Sequence, residues 1–253
     1  MYLSAEVIAK TACLSIAATC LCLSVVPPHP KPTDEFREKY NDSPPSSNKR
    51  HADSSPTATP WPSFDYNAAS TAFGTSYLPY LLSIFVVVTT TLDVFHAFDL
   101  FPSFMPVNTH SSRVFNVQLI TGLAFTIIFS ALRFTTFMSL GRLFTYQLSI
   151  LPDHKLITHG LYSYVRHPSY TAIVFIYTGA MLTVTAPGSV LHDFLGTEST
   201  GKLMVTLASA ITYGTHLFIH RAGIEDQVLR KEFGKEWDEW ASVVKYKFIP
   251  GLL

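Results

Sequence analysis

Residues 154–170 carry His154, His159 and His167, three tyrosines (Tyr162, Tyr164 and Tyr170) and Arg166, set between two long apolar stretches. Ionisable groups at the edge of a membrane-embedded region are expensive to desolvate, so a cluster of them marks a functional site. After the next two apolar stretches come Arg221 and Glu225, four residues apart. A pair of antiparallel spans would return that second station to the membrane face of the first, and the two would form one site. Interface anchoring by Tyr is the duller alternative, but it requires neither His nor the Arg166-His167-Pro168 sequence.

The residue types limit the chemistry. The three histidines are five and eight apart with no HExxH pattern, and Cys13, Cys20 and Cys22 sit together in one apolar segment, so no metal site is expected. His216 and His220 are four apart on a helical face and suit a polar contact at a helix end; Asp93 and His96 suit a pairing inside a bundle. Ser169 lies near His167 but in no G-x-S-x-G elbow, which removes support for a hydrolytic nucleophile. Neither G-x-G-x-x-G nor a phosphate loop occurs, so neither a Rossmann nucleotide site nor phosphoryl transfer is indicated.

Composition says what must position these groups. Of the 253 residues 48% are apolar and 14% charged, with zero formal net charge and a mean hydropathy of +0.25. This is the profile of a polytopic membrane protein, and it lacks the basic stripe that nucleic-acid binding needs. The expected fold is all-α, an integral membrane bundle of about five spans. These cover residues 3–26, 76–98, 114–140 with a helical continuation towards 150, 169–187 and 203–220, the last two joined by a short turn over 188–201. Arg133 and Arg142, near the end of the third, are expected to snorkel to the interface. Gly179 and Gly214, near the middles of the last two, allow close helix approach.

Three regions follow: an N-terminal anchor over 1–26, favoured over a cleaved signal peptide; a polar segment over 27–75, too poor in aliphatics to fold alone; and a catalytic domain over 76–253. From Ile224 the apolar positions 228, 229, 233, 237, 240 and 244 recur at helical spacing, which predicts a C-terminal amphipathic helix lying on the membrane. Arg142, Lys155, Arg166, Arg221, Arg230, Lys231, Lys235, Lys245 and Lys247 flank one set of span ends, so that face and the C-terminus are expected in the cytosol.

The run from His154 to Tyr170, then Arg221-x-x-x-Glu225-Asp226, Phe233-Gly234-Lys235-Glu236-Trp237 and Ile249-Pro250, resembles the isoprenylcysteine carboxyl methyltransferases in order and spacing from about residue 132 onward. The departures are Ala172 where Gly is common, Trp237 and Trp240 where Tyr is usual, and Asp226 for a second Glu. The resemblance implies a pocket for S-adenosylmethionine built from membrane helices and a cytosolic cap. By matching positions, Gln147, His154, Lys155, Leu156, Ile157, Tyr162, His167, Pro168, Ser169, Tyr170 and Glu225 would contact the cofactor. Arg221 would hold the substrate carboxylate and, with Arg166 as a second positioning charge, would serve catalysis. The implied partners are prenylated CaaX-type proteins or prenylcysteine lipids, and the implied location is the endoplasmic reticulum membrane. Rival readings are methylation of another lipid such as phosphatidylethanolamine, a sterol-reductase-like protein that would bind NADPH, and a non-catalytic scaffold.

Overall fold

The computed structural model describes residues 5–25, 78–97, 115–144 and 154–252, and among them every regular element is helical. The polar segment 27–75, Gln147 and the expected helical continuation towards 150 lie outside the described residues.

The described residues form six α-helices: α1 (Ala5–Val25), α2 (Leu78–Ala97), α3 (Val117–Leu140), α4 (Pro168–Val184), α5 (Val190–Phe233) and α6 (Lys235–Val243). Asn116 caps α3, its side chain accepting from Leu119 N, and Pro168 sits in the first turn of α4, where its missing N–H costs nothing. Three stretches, Ala5–Ser24, Val117–Leu143 and Val190–Phe233, are long and apolar enough to cross a membrane; Ser83–Phe95 and Pro168–Val184 are shorter apolar helices.

The helices alternate in direction. Leu14 and Ala17 of α1 pack with Leu119 and Leu123 of α3, and the far ends of these two helices meet where Arg133 reaches Ser24. At the opposite pole Asp93, near the end of α2, accepts from Val190 N at the start of α5, while Lys10 Nζ donates to Gly188 O. Leu21, Val86, Ile176, Ala180 and Val184 join α1, α2 and α4 in one apolar cluster. Ile8, Ile16, Ile120, Ile128 and Val205 face outward, as they would towards lipid.

The tightest seam joins α3 to α4. A Cβ on Gly179 would lie 2.7 Å from the Gly122 carbonyl oxygen, and one on Gly122 would lie 2.8 Å from the Gly179 carbonyl oxygen. Neither position tolerates a side chain, so the close approach expected of Gly179 is present, with Gly122 as its unforeseen partner. Stacked Phe129 and Phe175, 4.4 Å between centroids, continue the seam.

Two expectations need correcting. The turn predicted over 188–201 is mostly helix, because Ser189 caps a new helix at Val190 and the break falls at Gly196 alone, with φ of 76°. The amphipathic segment from Ile224 is no separate helix either. It continues α5 to Phe233, and Gly234, at φ of 53°, then turns the chain into the short α6. From Gly196 onward α5 is roughly 55 Å long at about 1.5 Å per residue, whereas a bilayer core is about 30 Å thick. A helix of this length is longer than an apolar layer is thick, and its last turns carry Arg221, Glu225 and Asp226.

Candidate functional site

The site forms at the pole where α3 ends and α4 begins, beside the last turns of α5. His167 is the residue before α4; its ring is buried, with Nε2 2.9 Å from Asp226 Oδ1 and Nδ1 3.5 Å from Glu225 Oε2. Burial alone would lower its pKa, but hydrogen bonds and charge from Asp226 and Glu225 outweigh that and raise it above the ordinary histidine value. The ring is therefore held towards the imidazolium form, in which both nitrogens donate.

Glu225 is the centre of the knot. Its Oε1 accepts from the Tyr170 hydroxyl at 2.5 Å and from Arg221 Nε at 3.1 Å. The i,i+4 spacing on α5 brings Arg221 and Glu225 together, and the contact at Nε fixes the plane of the guanidinium. Tyr170, one turn into α4, stacks on Phe218 at 5.1 Å between centroids, which aims its hydroxyl across the helix boundary.

Arg166 reaches both α5 and the C-terminal cap. Its Nη1 pairs with Asp226 Oδ2 at 3.2 Å and its guanidinium lies 5.7 Å from the Trp237 ring centroid. It ties the turn before α4 to α5 and to the C-terminal cap.

Above the knot sits an apolar cap of Tyr162, Trp237, Trp240 and Val244, against which Leu156 and Ile157 pack. Trp240 Nε1 donates to Tyr162 O at 3.1 Å. Burial raises the Tyr162 phenol pKa; the negative charge of Glu225 pushes the same way and the nearby Arg133 opposes. His154 packs near Phe233 at 5.9 Å between ring centroids. Burial lowers its pKa, with only partial opposition from Glu232, so its imidazole is neutral at ordinary pH. Lys155 is exposed.

Among the described residues three buried polar atoms around this cap have no hydrogen-bond partner: His154 Nδ1, Arg166 Nε and Trp237 Nε1. Buried polar atoms left unpaired cost free energy. Their grouping beside Leu156, Ile157 and Tyr162 fits a ligand with an apolar face and several polar edges.

The sequence reading missed Arg133. It does not snorkel outward; only 4% of it is exposed. Its Nε donates to Ser24 O at 2.8 Å, and its Nη1 donates to Ser169 Oγ at 2.6 Å and to Ser169 O at 3.1 Å. Ser169, expected to touch the cofactor, is thus held by Arg133. Among the described residues no carboxylate lies within ion-pair distance of this guanidinium. An Arg inside an apolar run was the available signal, since such residues face the bundle interior.

Of the residues singled out in the sequence, His167, Tyr170, Arg221 and Glu225 meet in one knot, Arg166 joins it through Asp226, and Leu156, Ile157, Tyr162 and His154 line the cap. Pro168 is buried at the start of α4. His159, His216 and His220 are exposed, and among the described residues no group of three or more His, Cys, Asp or Glu could hold a metal ion.

No solved structure matches the chain. A rice relative (Oryza sativa subsp. indica) named probable protein-S-isoprenylcysteine O-methyltransferase is 30% identical over 125 residues, 49% of this chain and 56% of the relative. Protein-S-isoprenylcysteine O-methyltransferase B of Arabidopsis thaliana is 29% identical over 125 residues, 49% of this chain and 55% of the relative. The match thus spans little more than half the length of these relatives. Residues 122–195, from the Gly122 seam through the His167 turn into α5, match the model of the isoprenylcysteine carboxyl methyltransferase family, and it is to this family that the chain is similar.

Proposed function

We propose that the chain is an integral membrane enzyme that uses S-adenosylmethionine to methylate the α-carboxylate of a C-terminal prenylcysteine. The observation that carries the reading is the Arg221–Glu225–Tyr170–His167 knot, in which Glu225 fixes the plane of the Arg221 guanidinium. A planar guanidinium matches a carboxylate in two parallel hydrogen bonds.

The cofactor, when bound, supplies an electrophilic methyl on a sulfonium. His154, Arg166 and Trp237 supply the unpaired polar atoms that would meet its polar edges, Leu156, Ile157 and Tyr162 the apolar wall, and Glu225 the spare lone pairs for its hydroxyl or ammonium groups. The acceptor carboxylate is already a competent nucleophile. A carboxylate oxygen–carbon bond forms as the sulfur–carbon bond breaks, and no proton has to move. The residues' task is therefore alignment and exclusion of water. Arg133, a buried cation beside Ser169 and Tyr162, adds positive potential to the acceptor side.

Charge balance favours a carboxylate over an amine acceptor. Around two carboxylates, Glu225 and Asp226, stand Arg166, Arg221, Lys247 and a His167 held towards its charged form. This cationic surplus attracts an anion and disfavours an ammonium headgroup, which would also need a base to remove its proton.

Further parts of this reading concern the surroundings. All five helices α1 to α5 cross the membrane, which their alternating directions support, and α1 is retained, supported by its packing against α3 and α4. The pole with the knot faces the cytosol of the endoplasmic reticulum, so the prenyl chain enters sideways between helices while the cofactor arrives from water. The test is to incubate membranes bearing the chain with methyl-labelled S-adenosylmethionine and N-acetyl-S-farnesylcysteine across a range of pH. Label released by base as methanol, at a rate flat through neutral pH, supports a carboxyl ester. Base-stable label in lipid headgroups would point to the amine acceptor instead.

A further inference from the structure

Asp226 has three ionic partners, and they come from two separate parts of the chain. Its Oδ1 lies 2.9 Å from His167 Nε2, and its Oδ2 lies 3.2 Å from Arg166 Nη1 and 3.3 Å from Lys247 Nζ. Only 6% of the residue is exposed. Residues 245–248, beyond α6, lie along the turn before α4 in a short backbone pairing. Arg166 N donates to Tyr246 O at 3.0 Å and His167 N to Lys247 O at 2.7 Å. Arg166 Nη2 donates to Lys245 O at 3.4 Å, and Thr171 Oγ1 donates to Phe248 O at 2.9 Å. The Phe248 ring lies 6.0 Å from that of His167, centroid to centroid. One edge of this strap is thus tied by backbone to the turn, and its side chain Lys247 is tied by charge to α5.

We propose that Asp226 is a positioning residue that latches the strap 245–248 across the pole and holds the His167 ring against Glu225. The inference rests on the reading of this pole as a methyl-transfer site and names a residue to which that reading gives no role. The physical reason is like-charge crowding. Without the Asp226 carboxylate, Arg166, Lys247 and the His167 imidazolium would face one another with Arg221 close by and only Glu225 to offset them. At these distances in a half-buried setting such repulsion is several times stronger than in water. The strap would lift, and the His167 ring would lose both its proton and its fixed tilt. Among the described residues the groups that face His167 are Glu225 and Asp226 from α5, Tyr170 from its own helix, Arg166 beside it, and Lys247 and Phe248 from the strap, so Asp226 supplies one of the two negative charges there.

The experiment uses the full chain in membranes with Asp226→Asn, Asp226→Glu and Lys247→Met. The first readout is the rate of tryptic cleavage at Lys245, which requires the strap to leave the turn. Wild type is expected to be protected, Asp226→Asn to be cut about tenfold faster, matching the loss of about one charge-assisted contact, Asp226→Glu to recover most protection, and Lys247→Met to fall between. The second is the pH dependence of transfer: the alkaline limb moves to lower pH by about one unit in Asp226→Asn and does not move downward in Lys247→Met. Equal cleavage of wild type and Asp226→Asn overturns the proposal. If Asp226→Asn fails to accumulate, equal cleavage of wild type and Lys247→Met overturns it. The cleavage readout needs no acceptor, so a chain that forms no ester yet shows latch-dependent cleavage would sink the proposed activity and leave the latch standing.

Discussion

Tyr170 donates to Glu225 at 2.5 Å across 55 residues of sequence, and this single contact locks the first turn of α4 to the last turns of α5. The same carboxylate oxygen takes Arg221 Nε, so an error in the Tyr170 position passes directly to the guanidinium. Tyr170→Phe keeps the stack on Phe218 and removes only the hydroxyl. Hydrogen bonds to charged groups are worth about 1.5–3 kcal/mol, so kcat/KM for the prenylcysteine acceptor should fall roughly 10- to 100-fold. A loss below threefold in steady-state assays would show that Arg221 is oriented by something else.

Cofactor retention should depend on His154 more than on Lys155. Among the described residues His154 Nδ1 is buried with no hydrogen-bond partner, while Lys155 is exposed. His154→Ala should weaken binding of labelled S-adenosylmethionine about five- to tenfold, the worth of one hydrogen bond and some packing. Lys155→Ala should change it by less than about threefold, as exposed charges contribute little. The reverse order in equilibrium binding would place the cofactor outside the cap.

Arg133→Met should destabilise the bundle while leaving its apolar volume nearly intact. Ser24 O and Ser169 Oγ would lose their donor inside the protein, which costs about 1–3 kcal/mol for each buried group left unpaired. Unfolding in detergent should register this, with exposed Lys235→Ala as a near-neutral control.

Gly179→Ala is the sharper test of the fold. The new Cβ would sit 2.7 Å from the Gly122 carbonyl oxygen, which is backbone and cannot swing aside. Forced separation of α3 from α4 costs about 1–3 kcal/mol and should lower the melting temperature in detergent, whereas Gly201→Ala, with open space around it, should not.

His167 ties stability to pH in a direction that its environment fixes. Burial would lower its pKa, yet Asp226 and Glu225 raise it in the folded chain. A raised folded value means the stabilisation is fully present below the unfolded value of about 6.5 and is lost as pH rises through the folded value. Melting temperature should therefore decline from about pH 6 into the alkaline range, more steeply in wild type than in His167→Gln. Equal slopes in the two proteins would remove His167 as the cause.

The all-helical fold and the meeting of the polar groups at one pole were legible because apolar length and periodicity report local structure directly. Arg221 and Glu225 could be paired from their i,i+4 spacing, and the return of α5 to the His167 turn followed from antiparallel spans. The turn over 188–201 was misjudged because only its first residues form a turn: Gly188 takes a positive φ, but Ser189 then caps a helix at Val190, and within that helix only Gly196 takes a positive φ. Arg133 was assigned to the interface because sequence shows a helix end but not which neighbours enclose it. Asp226 was seen only as a substitute for Glu, since its partners Arg166, His167 and Lys247 come from separate parts of the chain and become neighbours only after folding. The polar segment 27–75 and Gln147 lie outside the described residues.

The central claim is that one pole holds both a methyl donor and an anionic acceptor, with Arg221 assigned to the acceptor. The most direct measurement compares wild type with Arg221→Met for two quantities: binding of labelled S-adenosylmethionine, and base-labile methyl transfer to N-acetyl-S-farnesylcysteine. The account predicts that wild type forms the ester, and that Arg221→Met loses at least about 100-fold in kcat/KM, the scale of a charged hydrogen-bonded pair, while cofactor affinity stays within about fivefold. Ester formation undiminished in Arg221→Met, or no ester from wild type that binds the cofactor, would contradict it.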